Sequence, residues 1–155
     1  MKKFFLLMVV LFCTSFMQAN ATTWVQVDDN YYIDKDSIHY YIDDNKAYDF
    51  DKKIFWVKST ANNAYQDLEI VIKKKISYGL SQYIIDFSNN SIATKSGATY
   101  DDDGKVLTSY NYQDYELDWQ SIIPSSNASY WSDFVKHPRK LQKIYKMQNL
   151  SNEYN

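Results

Sequence analysis

Clusters of Asp, Asn and Ser interrupt this chain at short intervals, and the runs between them have the length of strands. Thr23-Trp24-Val25-Gln26-Val27 alternates apolar and polar residues, the period of a half-buried strand. Asp28-Asp29-Asn30 then turns the chain, Tyr31-Tyr32-Ile33 extends it, and Asp34-Lys35-Asp36-Ser37 reads as a tight turn. His39–Ile42 and Lys46–Phe50 flank Asp43-Asp44-Asn45, which predicts a hairpin, and Ile54–Lys58 reads as a further short strand. After a loop at Asn62-Asn63, the alternation of Leu68, Ile70 and Ile72 with Glu69, Val71 and Lys73 predicts a strand over Leu68–Lys75. Ser77–Phe87 is the next strand, closed by the turn Ser88-Asn89-Asn90-Ser91. Ile92–Tyr100 and Val106–Tyr112 enclose Asp101-Asp102-Asp103-Gly104, where Asp-Gly is a favoured two-residue hairpin turn. Short strands at this spacing form an antiparallel sheet.

The end of the chain changes period. Ser126 is a suitable N-cap for a helix over Asn127–Val135, with Tyr130, Trp131 and Phe134 at helical spacing. Pro138 stops it, because the proline ring cannot continue a helix without a kink. Arg139–Leu150 fits a second short helix and a loose tail equally well. The predicted class is α+β: a single antiparallel β-sheet with a short C-terminal helix packed against it.

Composition agrees with a sheet. The chain has 155 residues, with 15 Tyr, 8 Phe and 4 Trp but only 3 Gly and 2 Pro. Aromatic rings favour strands, and Asp and Asn take the turn positions that glycine would otherwise fill. Lys2-Lys3, the apolar run Phe4–Phe12 and Ala19-Asn20-Ala21 follow the layout of a secretory signal peptide over residues 1–21, with the mature chain starting at Thr22. The apolar run is shorter than the roughly 20 residues of a membrane-spanning helix. Bulky Phe12 before Cys13 argues against a lipid anchor at that cysteine. The predicted organisation is thus a signal peptide at 1–21, a β-rich domain at 22–136 and a tail at 137–155. Export to the periplasm or cell surface follows, with no stable membrane span once the signal is removed.

The single cysteine, Cys13, belongs to the predicted signal, so the mature chain has neither disulfide nor thiol nucleophile. The net charge of −2 becomes more negative without Lys2 and Lys3, which gives no footprint for nucleic acid. Lys73-Lys74-Lys75 reads as the solvated face of a strand. The two histidines, His39 and His137, lack a second ligand at helical or strand spacing and read as surface residues. Asp101-Asp102-Asp103-Gly104 does not match a calcium loop, because Thr99 and Tyr110 stand where ligands belong; it reads as a hairpin turn. No nucleophile elbow, phosphate loop or zinc-protease motif occurs. Glu69, Glu116 and Glu153 are the chain's glutamates, a thin stock for paired-carboxylate chemistry. Matches to the glycosylation acceptor pattern at Asn89, Asn127 and Asn149 arise readily in a chain rich in Asn and Ser. No catalytic residue, cofactor or metal is predicted.

The aromatic surplus carries binding character. Tyr31, Tyr32, Tyr40, Tyr41 and Tyr48 cannot all face one side of a sheet, since neighbouring strand residues point oppositely. Some rings must be exposed, where they contact a protein or glycan well or simply pair across strands.

Several residues in order resemble the bacterial surface-adhesin protein E-like domain family. They are Trp24-Val25, Tyr32-Ile33-Asp34 with Ser37-Ile38, Phe55-Trp56-Val57-Lys58, Tyr100-Asp101, Asp103-Gly104-Lys105-Val106, Trp119 and Ile123-Pro124-Ser125-Ser126 leading to Tyr130-Trp131. The resemblance implies an exported sheet-and-helix domain without catalytic residues, of which members with a role bind host matrix or serum proteins. It also implies a bridge in relatives between a cysteine after the central strand and one at the helix end, near Phe87 and Lys136 of this chain. Without it, Trp131 and Phe134 are expected to hold the helix by burial of about 1.5–3 kcal/mol per ring, against a bridge worth ~2–4 kcal/mol. The functional expectation is an exported, non-enzymatic binding module. A periplasmic structural or housekeeping domain without host ligand is the alternative.

Overall fold

The computed structural model describes residues 22–60 and 65–138. The predicted signal peptide and Arg139–Leu150 lie outside the described residues. Eight strands form one antiparallel sheet: β1 (Trp24–Asp28), β2 (Tyr31–Asp34), β3 (His39–Ile42), β4 (Tyr48–Thr60), β5 (Tyr78–Asp86), β6 (Ser91–Tyr100), β7 (Val106–Asn111) and β8 (Gln120–Ser121). The main order is β1-β2-β4-β5-β6-β7. Two long strands each take two short partners on one edge. β4 pairs with β2 through Val57–Ser59 and with β3 through Tyr48–Ile54. β6 pairs with β7 through Ser96–Tyr100 and with β8 through Ser91–Ile92. The α+β architecture read from the sequence is the one observed.

The sheet has two unequal faces. Phe55, Val57 and Ile85 point to one side together with Ile33, and there they meet Trp131, Phe134 and Val135 of α2 (Asn127–Lys136). Ile122 closes this core. Ile54 and Ile84, one residue out of phase, point to the opposite face. They form a small second core with Tyr41, against which Leu117 packs.

α2 begins as its sequence predicts. The Ser126 Oγ accepts the Ser129 backbone N–H at 3.3 Å, and the helix stops at Lys136, before Pro138. Trp131, Phe134 and Val135 make the buried stripe, whereas Tyr130, expected on that stripe, is exposed. An i, i+3, i+4 triplet starting at Trp131 covers the sheet, and Tyr130 falls about 100° to one side of it. Trp131 sits between two tyrosines, its ring 5.3 Å from Tyr31 and 5.1 Å from Tyr83.

Three local expectations are corrected. Leu68–Lys75 is not a strand: Gln66–Ile72 forms α1, and Lys73 ends it in the left-handed conformation with φ 54°. β4 and β5 pair directly from Lys52↔Asp86 to Thr60↔Tyr78, so no ladder position is left between them for another strand. Lys73, Lys74 and Lys75 are therefore exposed residues after a helix, not one face of a strand. The predicted strands Lys46–Phe50 and Ile54–Lys58 are not separate: from Tyr48 on they belong to β4, which runs through Asp51, Lys52 and Lys53, while Lys46 stays in the turn with φ 67°. The register slips between Tyr40 and Tyr41 absorb that polar stretch, and Lys52 is held by Asp49 at 2.5 Å and Asp86 at 3.5 Å. The β6–β7 connection is a loop over residues 101–105, longer than a two-residue Asp-Gly turn, between paired Tyr100 and Val106. The Asp101 carboxylate accepts the backbone N–H of Asp103 at 3.1 Å and of Lys105 at 2.8 Å, and Gly104 takes φ 75°. A tight turn closed by a left-handed glycine is the next commonest hairpin solution.

Candidate functional site

The β3–β4 hairpin builds an exposed aromatic arm. The Asp43 carbonyl accepts the Lys46 N–H at 3.0 Å and the Asp43 carboxylate accepts the Ala47 N–H at 2.8 Å, which folds the turn. Strand alternation then sends Tyr40 and Ile42 to the side of the sheet opposite Tyr41. Ile42 pairs with Tyr48, and the slip in register brings Phe50 back beside them. Tyr40, Ile42, Tyr48 and Phe50 are 46%, 40%, 64% and 72% exposed. The Phe50 ring meets Tyr40 edge-on at 5.4 Å and stacks with Tyr48 at 6.2 Å. The Lys53 ammonium lies 5.7 Å from the Tyr40 ring centre. This is a contiguous apolar surface with preset ring geometry, not a scatter of single exposed groups.

Tyr41 anchors the base of the arm. Its hydroxyl donates to the Asp114 carboxylate, which also receives the Lys95 ammonium at 2.6 Å. Asp44 and Asp114 each accept the other's backbone N–H, at 2.8 and 2.7 Å, so the hairpin turn is tied to the single-turn helix Asp114–Glu116. Burial and the Asp114 carboxylate push the Tyr41 phenol above its usual range. Burial works to raise Asp114, but hydrogen bonds from Lys95 and Tyr41 outweigh it and hold that carboxyl below the usual range. Tyr41 and Asp114 border a depression of about 520 Å³ that also includes Asp43, Asp49 and Asp86. Lys52 pairs with Asp49 and Asp86, Lys95 pairs with Asp44 and Asp114, and the cluster serves as a clasp.

A second concavity lies on the α2 face of the sheet. It measures about 410 Å³ and is walled by Tyr83, Tyr110, Tyr112, Glu116, Asp118 and Gln120. Tyr110 and Tyr112 are two residues apart at the end of β7 and point to one side, with ring centres 5.4 Å apart. Gly97 makes room for Tyr110: a Cβ there would come within 2.7 Å of a Tyr110 ring carbon. Tyr83 is fixed from behind by Trp131, and burial pushes its phenol up to about 12.

The sequence-level candidates separate in space. His39 is exposed on β3 with its Nδ1 2.6 Å from the Ser37 carbonyl oxygen, and His137 is exposed where α2 ends. Neither belongs to the arm or the groove. Asp101–Asp103 shape their turn, and among the described residues no group of three or more His, Cys, Asp or Glu is placed to hold a metal ion. Among the described residues, no helix is long and apolar enough to cross a membrane. Of the five tyrosines weighed in the sequence, Tyr40 and Tyr48 are exposed, Tyr41 is buried, and Tyr31 and Tyr32 are half-buried. Phe50, Tyr110 and Tyr112 carry little signal in the sequence, that of the last two being their spacing of two on a predicted strand. Phe87 and Lys136 do come together, the ammonium 5.8 Å from the ring centre.

No family model matches the chain, and no curated protein matches it either. Solved structures of protein E are similar in layout. Protein E from non-typeable Haemophilus influenzae shares 14% identity, with 85% of this chain and 92% of that one covered and a TM-score of 0.49. A further structure of Haemophilus influenzae protein E shares 15% identity over 72% of this chain and 82% of that one, with a TM-score of 0.46. Its crystal form II shares 12% identity over 72% and 85%, with a TM-score of 0.45. Values this low carry no inference about family or function.

Proposed function

We propose that the protein is an exported, non-enzymatic binding module that meets a protein partner through the aromatic arm of the β3–β4 hairpin. The observation that carries this reading is the contiguous exposure of Tyr40, Ile42, Tyr48 and Phe50 on one face of a clasped hairpin. Large rings that are already stacked lose little freedom on binding, and such aromatic anchors dominate protein interfaces. The ordered motifs described above support an adhesin-like role toward host matrix or serum proteins, and the predicted signal peptide supports export.

Capture of the protein on immobilised matrix proteins tests the reading, with a Tyr48→Ser, Phe50→Ser variant alongside. The variant is expected to bind about tenfold more weakly, as the loss of an interface anchor predicts. It should melt within a few degrees of the parent, because both rings are exposed. Equal binding by the variant rejects the arm, and absence of capture by the parent rejects the host-protein role. Fractionation completes the test: export predicts an envelope-associated chain whose N-terminal residue is Thr22.

A further inference from the structure

We infer that the groove walled by Tyr83, Tyr110, Tyr112, Glu116 and Asp118 receives an Arg or Lys side chain from an extended basic segment of a partner protein. The inference rests on the reading of the chain as a binding module, but not on the aromatic arm. Its basis is charge. The groove lining includes two carboxylates and no Lys, Arg or His. Tyrosine ring faces are themselves electronegative, so rings and carboxylates bias the groove toward a cation.

The acids of the neighbouring depression under the arm differ in this respect. There Asp49, Asp86 and Asp114, with Asp44 beside them, are engaged by Lys52 or Lys95. Glu116 accepts the Gln113 backbone N–H at 2.7 Å, and Asp118 is approached by the Gln120 amide at 3.4 Å. Among the described residues neither is paired with a cation. Two carboxylates facing an aromatic-walled space therefore retain an unmatched negative charge.

Shape agrees. About 410 Å³ is above the roughly 300 Å³ at which pockets begin to hold small ligands. The tilted Tyr110–Tyr112 pair offers ring faces against which the methylene stem and guanidinium of an arginine can lie. Tyr83, held against Trp131 and Phe55, makes a fixed floor. Gly97 keeps Tyr110 over β6, so the platform exists before any ligand arrives.

Amide chemical-shift mapping of the purified protein tests this, using three probes: a capped Gly-Ser-Arg-Ser-Gly peptide, its Glu counterpart and maltotriose. The Arg peptide is expected to shift residues around Tyr112 and Asp118, and the Glu peptide to leave them unmoved. Tyr112→Ala and Asp118→Asn should each weaken Arg-peptide binding by about fivefold, the upper range for an exposed cation–aromatic contact and for an exposed ion pair. Asp118→Glu should restore most of it. Both side chains are exposed, so the folded state is expected to survive these changes. Absence of shifts overturns the inference. So does equal binding of the Glu peptide, binding of maltotriose at the groove, or an Arg-peptide affinity unchanged in Asp118→Asn. Loss of groove binding with arm-dependent capture intact rejects the groove alone, whereas failure of both assays rejects the binding-module reading as well.

Discussion

Asp86 closes β5 with a carboxylate that is only 4% exposed yet stays charged. Burial works to raise its pKa, but donation from Ser88 and Asn89, helped by Lys52, outweighs it and brings the value from 3.8 down to about 2. A folded-state value below the unfolded one means stability that is complete above the unfolded value and is lost as pH falls through the folded one. The protein should therefore shed about 2 kcal/mol between about pH 4 and pH 2 through this residue. Asp86→Asn should lose a similar amount at neutral pH and flatten that acid limb, as urea titrations at several pH values will show. The clasp under the arm makes a second residue-scale prediction. Tyr41→Phe removes one hydrogen bond and should cost about 1 kcal/mol, while Lys95→Met strips Asp44 and Asp114 of their cation and should cost more. Thermal melts of both variants decide the order. The sequence announced none of this, since Asp44 and Asp114 are far apart along the chain and each alone looks like an ordinary turn acid.

Among the elements, α2 was legible and α1 was not. α2 has a serine N-cap, apolar residues at helical spacing and a proline stop, three signals that agree. α1 has seven residues, no buried side chain and an apolar pattern that fits period two as well as a helix. Its placement comes from outside: Tyr65 lies over Gly79 and bonds Ser59, and Glu69 accepts the Ile76 N–H at 2.6 Å. The contact between Phe87 and Lys136 makes a prediction at this scale. The Lys136 ammonium lies 5.8 Å from the Phe87 ring centre. Phe87→Cys with Lys136→Cys is therefore expected to form a disulfide on oxidation, provided the two Cα atoms come within the roughly 7 Å that a bridge spans. Closing a loop of about 50 residues should add up to about 4 kcal/mol, visible as a reducible rise in melting temperature. A pair that stays reduced would show that the helix end sits too far from the sheet.

Across the described residues, a single sheet has to satisfy two faces with one packed helix, since α1 buries no side chain. α2 covers the face carrying Phe55 and Ile85, and the opposite face buries a smaller set that includes Tyr41, Ile54 and Ile84. The aromatic surplus follows from that shape, since much of the sheet remains at the surface and rings must serve there as half-buried cover or as contacts. By itself, the sequence determined that the fold is an antiparallel sheet ending in a helix, because alternation, turn acids and capping act between near neighbours. It also determined that some tyrosines must be exposed, because adjacent strand residues point apart. Only the tertiary structure decided which ones. The register slip in β3–β4 turns Tyr40, Tyr48 and Phe50 outward and Tyr41 inward, and the pairing of β6 with both β7 and β8 brings Tyr112 and Asp118 to one groove. Those outcomes depend on strand partners distant in the chain, to which a local residue pattern is blind.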